Sequence, residues 1–115
     1  MRRGEIRWVN LDPAVGSEAN KVRPAVIVSN DGANGSAQQL GQGVITVVPI
    51  TKNIARIYPF QAFIGASESG LPDDSKAPAE QVRSISVERI GRRVGVLSPA
   101  TLRSLDEALR VQLAL

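Results

Sequence analysis

The sequence predicts a mainly β protein, a small and strongly bent sheet or barrel with one helix packed on it at the C-terminal end. Three observations carry this. Short apolar runs rich in Val and Ile recur between clusters of Gly, Pro, Asn and Asp, the pattern of strands joined by turns. A single stripe of leucines at helical spacing follows a Ser-Pro start signal near residue 98. No internal repeat, low-complexity tract or linker interrupts the 115 residues, so residues 1–115 read as a single domain.

Glu5 to Leu11 alternates loosely and reads as the first strand. Asp12 to Lys21 reads as a loop, opened by Asp-Pro and carrying Gly16, Ser17 and Asn20. Ala25 to Ser29 is a continuous, β-branched apolar run, a second and buried strand. Asn30 to Gly43 holds four glycines and is expected to be a loop with one helical turn. Within it, Gly32 to Gly35 lacks the lysine and hydroxyl of a phosphate loop and reads as a flexible connection. Val44 to Val48 is the strongest strand, with Pro49 marking its end. Phe60 to Ile64 is a fourth strand and Leu71 to Pro78 a turn-rich link, in which Asp73 and Asp74 read as turn residues. Ala79 to Ile85 is a fifth strand. Ser98 suits an N-cap and Pro99 the first helical position; Leu102, Leu105, Leu109 and Leu113 then form one apolar face.

Composition narrows the chemistry. The chain has no cysteine and no histidine, so it offers no thiolate nucleophile, no disulfide and no imidazole for acid–base work or metal ligation. The candidate carboxylate pairs, Glu80 with Glu88 and Asp73 with Asp74, read as solvated surface charge, so no metal site is expected. Aromatic content of 3% leaves no multi-aromatic platform for bases, and Trp8, the only tryptophan, is expected in the core or an interface. No segment has the apolar length of a membrane span, and Met1 to Glu5 leads into no signal-peptide core, so a cytoplasmic protein is expected. Eleven of the fourteen positive residues are arginine, whose planar fork suits phosphate. A GC-rich coding sequence gives the same excess, so the bias alone assigns no partner.

The stretch NKVRPAVIVSN places one of these arginines firmly. Pro24 fixes its own φ and pushes Arg23 into an extended conformation, so the guanidinium stands at the mouth of a strand. A surface ion pair with Glu18 or Glu5 is one reading. The other comes from Val48-Pro49-Ile50-Thr51-Lys52-Asn53, which repeats the logic of a strand, a proline and a polar cluster. If the two strands are neighbours, Arg23 and Thr51 face one pocket, with Glu18, Asn20 and Lys21 at its rim. A pocket of arginine, threonine, lysine and amides suits a phosphodiester.

Six segments in order resemble the MazF/PemK toxins of bacterial toxin–antitoxin systems. They are Gly4-Glu5-Ile6-x-Trp8-Val9-x-Leu11-Asp12-Pro13, Gly16-Ser17-Glu18, Arg23-Pro24-Ala25-Val26-Ile27-Val28, Val48-Pro49-Ile50-Thr51, Tyr58-Pro59-Phe60 and Glu80-Gln81-Val82-Arg83-Ser84-Ile85. The resemblance implies a small SH3-like barrel of five or more strands with a C-terminal helix, and a homodimer. It implies sequence-specific, metal-independent cleavage of single-stranded RNA without a cofactor, and neutralisation by a cognate MazE-like antitoxin. The family's active-site arginine and threonine match Arg23 and Thr51, and its loop glutamate matches Glu18. Ser17, Asn20, Lys21, Lys52, Asn53, Gln81 and Arg83 are the expected RNA-binding residues. One branch of the family carries a histidine where this chain has Ser17, which leaves the general base unassigned. The implied chemistry is attack of a ribose 2′-OH on the adjacent phosphorus, with Arg23 stabilising the phosphorane and Thr51 orienting a phosphate oxygen or relaying a proton. A non-catalytic RNA- or antitoxin-binding module on the same fold is the alternative.

Overall fold

In the computed structural model, which describes residues 1–115, ten elements follow one another. They are β1 (Glu5–Asn10), β2 (Val22–Ile27), α1 (Asp31–Leu40), β3 (Val44–Pro49), β4 (Gln61–Ile64), α2 (Ala66–Ser69), β5 (Ser75–Pro78), β6 (Arg83–Ser86), β7 (Ile90–Val96) and α3 (Pro99–Leu113). Single 3₁₀ turns stand at Ala79–Gln81 and Val87–Arg89. Five strands make one antiparallel sheet in the order β6-β3-β2-β1-β7, and β4 with β5 makes a separate two-stranded sheet. A lone bridge between Thr51 and Lys76 ties the two sheets together. The mainly β class with a C-terminal helix is as the sequence predicts.

Both faces of the central strands are buried, which is why their sequences are continuously apolar rather than alternating. Val26, Val48 and Ile50 point with Ile6 into one core, covered by the β4–β5 hairpin, Leu97 and α3. Ala25, Ile27, Ile45 and Val47 point into the other, with Val9, Leu11, Ile85 and Ala37 of α1. The β1–β7 ladder slips between Ile6 and Arg7 and again between Arg7 and Val9, irregularities that bend the sheet.

Several elements depart from the sequence reading. Asn30 to Gly43 is not a loop with one turn but contains the ten-residue α1. Its side chains signal little because only Asn34 and Ala37 are buried. Caps hold it instead. Asn30 Oδ1 accepts the Ala33 N–H at 2.8 Å, and Gly41, at φ 67, closes the far end with its N–H on the Ala37 carbonyl. Asn34 Nδ2 donates to the Ser29 carbonyl at 2.8 Å, pinning the helix to the strand before it. The supposed link Leu71 to Pro78 ends in strand β5, all four residues of which are buried. Ala79 to Ile85 is a 3₁₀ turn followed by β6, because the Val82 N–H bonds back to the Ala79 carbonyl. β7 carries two glycines and two arginines within IGRRVGV, which hid its strand character. The second strand runs Val22–Ile27 rather than Ala25 to Ser29, so Arg23 and Pro24 lie within it. In α3, Ser98 and Pro99 start the helix as expected and Leu105 is buried, but Leu113, at the end of the expected apolar face, is half exposed.

Candidate active site

β2 and β3 pair up to Ala25 opposite Pro49. The Ile50 N–H then donates to the Pro24 carbonyl at 2.9 Å, so the two chains stay together beyond the last ladder pair. Carrying the same register outward sets Arg23 across from Thr51. The two strands are therefore the neighbours that the proline-flanked stretches suggested. Pro24 is tolerated there because the partner needs its carbonyl and not an N–H. Thr51 is fixed from its other side as well, exchanging backbone hydrogen bonds with Lys76 at 3.0 and 2.9 Å.

Arg23 and Thr51 both line a cleft of about 420 Å³, together with Lys21, Lys52 and Asn53. Its apolar lining comes from Trp8, Val22, Pro24, Ile50, Leu71 and Val94. Trp8, expected in the core or an interface, is half-buried on the cleft wall, opposite Pro24 in the β1–β2 register. Its signal in the sequence was its uniqueness, the one tryptophan of the chain, set on a strand. Pro72, Asp73 and Ser75 also line the cleft. From sequence, Asp73 reads only as a turn residue and solvated charge, and Pro72 and Ser75 do not stand out, because a turn-rich reading of Leu71 to Pro78 says nothing of what the segment lies beside.

The guanidinium of Arg23 is held along one edge only. Its Nε donates to the Asn20 carbonyl at 2.9 Å and its Nη2 to Asn20 Oδ1 at 3.2 Å. That leaves both hydrogens on Nη1 and one on Nη2 for a ligand. Neither Glu18 nor Glu5 pairs with it. Glu18 Oε1 accepts the Val15 N–H at 2.9 Å, and Glu5 accepts from the Arg2 N–H and from Arg7. The charge of Arg23 therefore stands uncompensated. Thr51 Oγ1 accepts the Asn53 N–H at 3.2 Å, which leaves its own hydrogen free to donate outward.

Among the other expected residues, Asn20 stands beside Arg23 as its clamp, while Ser17, Glu18, Gln81 and Arg83 do not line the cleft. They hold the loop that rims it. Gln81 Oε1 accepts the Ala19 N–H at 2.9 Å and its Nε2 donates to the Ser17 carbonyl at 3.0 Å, a two-point grip like that of a strand neighbour. Arg83 Nη1 reaches the Leu11 carbonyl at 3.4 Å. Lys21 closes the loop in the left-handed region at φ 65, its N–H on Asp12 Oδ1 at 2.8 Å and its carbonyl on the Leu11 N–H. No three Asp, Glu, His or Cys residues stand close enough to hold a metal ion.

Comparison with known proteins bears on this site. The profile of the family described as PemK-like, MazF-like toxin of type II toxin-antitoxin system matches residues 2–113. Endoribonuclease MazF9 of Mycobacterium tuberculosis is 61% identical over 115 residues, covering 100% of this chain and 98% of that protein. Among solved structures, MazF from Deinococcus radiodurans superposes with a TM-score of 0.82 at 23% identity, over 100% of this chain and 97% of that one. A mycobacterial endoribonuclease in complex with its cognate antitoxin gives a TM-score of 0.78 at 23% identity, over 100% and 96%.

Proposed function

Since the chain belongs to the family of PemK-like, MazF-like toxins of type II toxin–antitoxin systems, we propose that it is an endoribonuclease that cuts single-stranded RNA in the Arg23–Thr51 cleft. The observation that carries this is the unpaired guanidinium of Arg23 set across from the free hydroxyl of Thr51 in one basic cleft. A scissile phosphate placed between them receives two or three charge-assisted donors from Arg23 and one from Thr51. The ribose 2′-oxygen attacks phosphorus, the P–O5′ bond breaks, and the products are a 2′,3′-cyclic phosphate and a 5′-OH end. The 2′-OH proton leaves and O5′ gains one. Arg23 and Thr51 act by stabilising the charge that builds on the phosphorane oxygens, and in-line placement of the 2′-OH supplies the rest.

Lys21, Lys52 and Asn53 serve on this reading as contacts for the flanking phosphates and sugars, and half-buried Trp8 offers a face on which a base stacks. Ser17, Glu18, Asn20, Gln81 and Arg83 shape the rim loop and the pose of Arg23 rather than the chemistry. The relative at 61% identity is named an endoribonuclease, which supports the same activity here. The family description supports neutralisation by a cognate MazE-like antitoxin. The protein acts as a homodimer in the cytoplasm; no helix is long and apolar enough to cross a membrane.

Single-turnover cleavage of a labelled RNA in EDTA tests the reading. The wild type cuts under chelation, because the cleft supplies its positive charge from side chains. Arg23→Ala falls at least a hundredfold, about 3 kcal/mol of transition-state stabilisation. Arg23→Lys recovers only part of that, since an ammonium cannot reproduce the fork. Thr51→Ala falls severely and Thr51→Ser retains part of the rate. RNA retained but uncut by the wild type overturns the nuclease reading in favour of a binding module.

A further inference from the structure

The cleft built for an anion contains one acid. Lys21, Arg23 and Lys52 line it, and so does Asp73, the only carboxylate to do so. Asp73 and its neighbour Asp74 are put to different uses. Asp74 Oδ1 accepts the Ala66 N–H at 2.9 Å and so fastens the start of α2. The carboxylate of Asp73 forms no hydrogen bond or ion pair within the chain, and only its backbone carbonyl is engaged, by the Ser75 hydroxyl at 2.9 Å. An unpaired carboxylate on the wall of the same cleft contributes nothing to phosphate binding and repels it.

The position is nonetheless fixed. The segment that leads to Asp73 is pressed against β7, where a Cβ at Gly95 would stand 1.9 Å from the Ser69 carbonyl oxygen. Gly70 turns there at φ 81, and a Cβ on it would lie 2.7 Å from the Val94 carbonyl oxygen. Two glycines thus let backbone meet backbone, and Leu71 and Ser75 on either side of Asp73 are buried. Asp73 itself is exposed, and it is held at the cleft by these buried neighbours and by the Ser75 hydroxyl on its carbonyl, while its carboxylate stays free.

An ionised carboxylate accepts hydrogen bonds and donates none. In a cleft holding RNA, its natural partners are the amino groups of nucleobases: N4 of cytosine, N6 of adenine, or N1 and N2 of guanine. Uracil sets carbonyl oxygens on both sides of its single N–H, and a carboxylate repels them. We propose that Asp73 is a specificity-determining residue, which accepts a hydrogen bond from an amino-bearing base seated in the cleft and excludes uracil from that place. This rests on the endoribonuclease reading and adds to it the edge that is read.

Sequencing the 5′ ends produced from a long mixed RNA by wild type, Asp73→Asn and Asp73→Ala tests it, with melting curves to show that the variants are folded. The wild type gives one position near the cut where uracil is depleted. Asp73→Asn, whose amide both donates and accepts, raises uracil there about tenfold, and Asp73→Ala flattens the preference, the scale expected of one well-made base contact. A base profile identical in all three proteins overturns the proposal while wild-type cutting keeps the nuclease reading. An unchanged profile with a lost acidic limb in the pH–rate curve makes Asp73 a general base instead and equally overturns it. Wild type that cuts no RNA sinks the nuclease reading and this inference with it.

Discussion

Arg23 keeps its charge unpaired while the acids of β1 and the rim loop are engaged in holding backbone. Glu18 accepts from Val15, Asp12 from Lys21, and Glu5 from Arg2. At this scale the sequence was informative where proline constrained it. Pro49 marks the end of β3, and Pro24, though it lies inside β2, keeps Arg23 extended, so the juxtaposition of Arg23 with Thr51 could be inferred from the two proline-flanked stretches. Gln81 and Arg83 were legible only by resemblance, and their grip on the rim loop spans more than sixty residues of chain, which no local pattern encodes. Asp31 carries a prediction of its own. Its carboxyl is held below the usual carboxylate range, chiefly by the Arg3 backbone N–H at 2.6 Å, against a smaller opposing effect of desolvation, with the Arg2 guanidinium at 3.1 Å assisting. The fold therefore prefers the ionised form. The resulting stabilisation is complete above the ordinary aspartate pKa and disappears as pH falls through the lowered folded value. Asp31→Asn should melt below wild type at neutral pH, with the gap closing in acid. Paired melting curves across an acid series check this, and a gap that persists or widens in acid contradicts it.

Elements divide by what holds them. β3 is held by burial on both faces, and its VITVV run announces it. α1 is held by Asn30, Asn34 and Gly41, residues that equally well describe a loop. β5 is short, contains lysine and proline, and is strand-like only because the hairpin with β4 and the bridge to Thr51 make it so. Its lysine has a further use. Lys76 is 8% exposed, with Nζ donating to the Arg56 carbonyl at 2.7 Å and to Gln61 Oε1 at 2.9 Å and no acid beside it. It ties down the exposed segment between Thr51 and β4, where Arg56 lies over the Tyr58 ring and Tyr58 stacks on Phe60. Lys76→Met keeps the apolar stem and removes both bonds. Stability should change by no more than about 1 kcal/mol, since a buried ammonium without a counter-charge is replaced by a side chain that needs none. Residues 52–60 should then exchange their amide hydrogens faster, and cleavage should slow severalfold. Hydrogen exchange read peptide by peptide decides it, and unchanged protection there removes Lys76 from the support of the site.

The whole molecule leaves apolar side chains outside its two cores. Val111, Leu113 and Leu115 at the end of the chain are 54%, 50% and 84% exposed, and Phe63 on β4 is 47% exposed. A 12.3 kDa chain gains burial by pairing over such a surface, and sedimentation at micromolar concentration should show a species near twice that mass. Net charge of +3 is modest, so the attraction for RNA comes from where the cations stand rather than from their number. Of the cations expected at the site, Arg83 is drawn off to the Leu11 carbonyl, whereas Lys21, Arg23 and Lys52 line the cleft. Three phosphate contacts on a single strand release counterions to give a log–log dependence of affinity on salt with a slope of about −2 per cleft. Lys21→Ala and Lys52→Ala should each flatten that slope by about 0.7, and Arg83→Ala should leave it unaltered. The titrations use an uncleavable RNA with deoxyribose at the cut, so that binding is read without turnover. A slope that follows Arg83 rather than the two lysines would move the path of the strand away from the Arg23–Thr51 cleft and onto the β6 edge of the sheet.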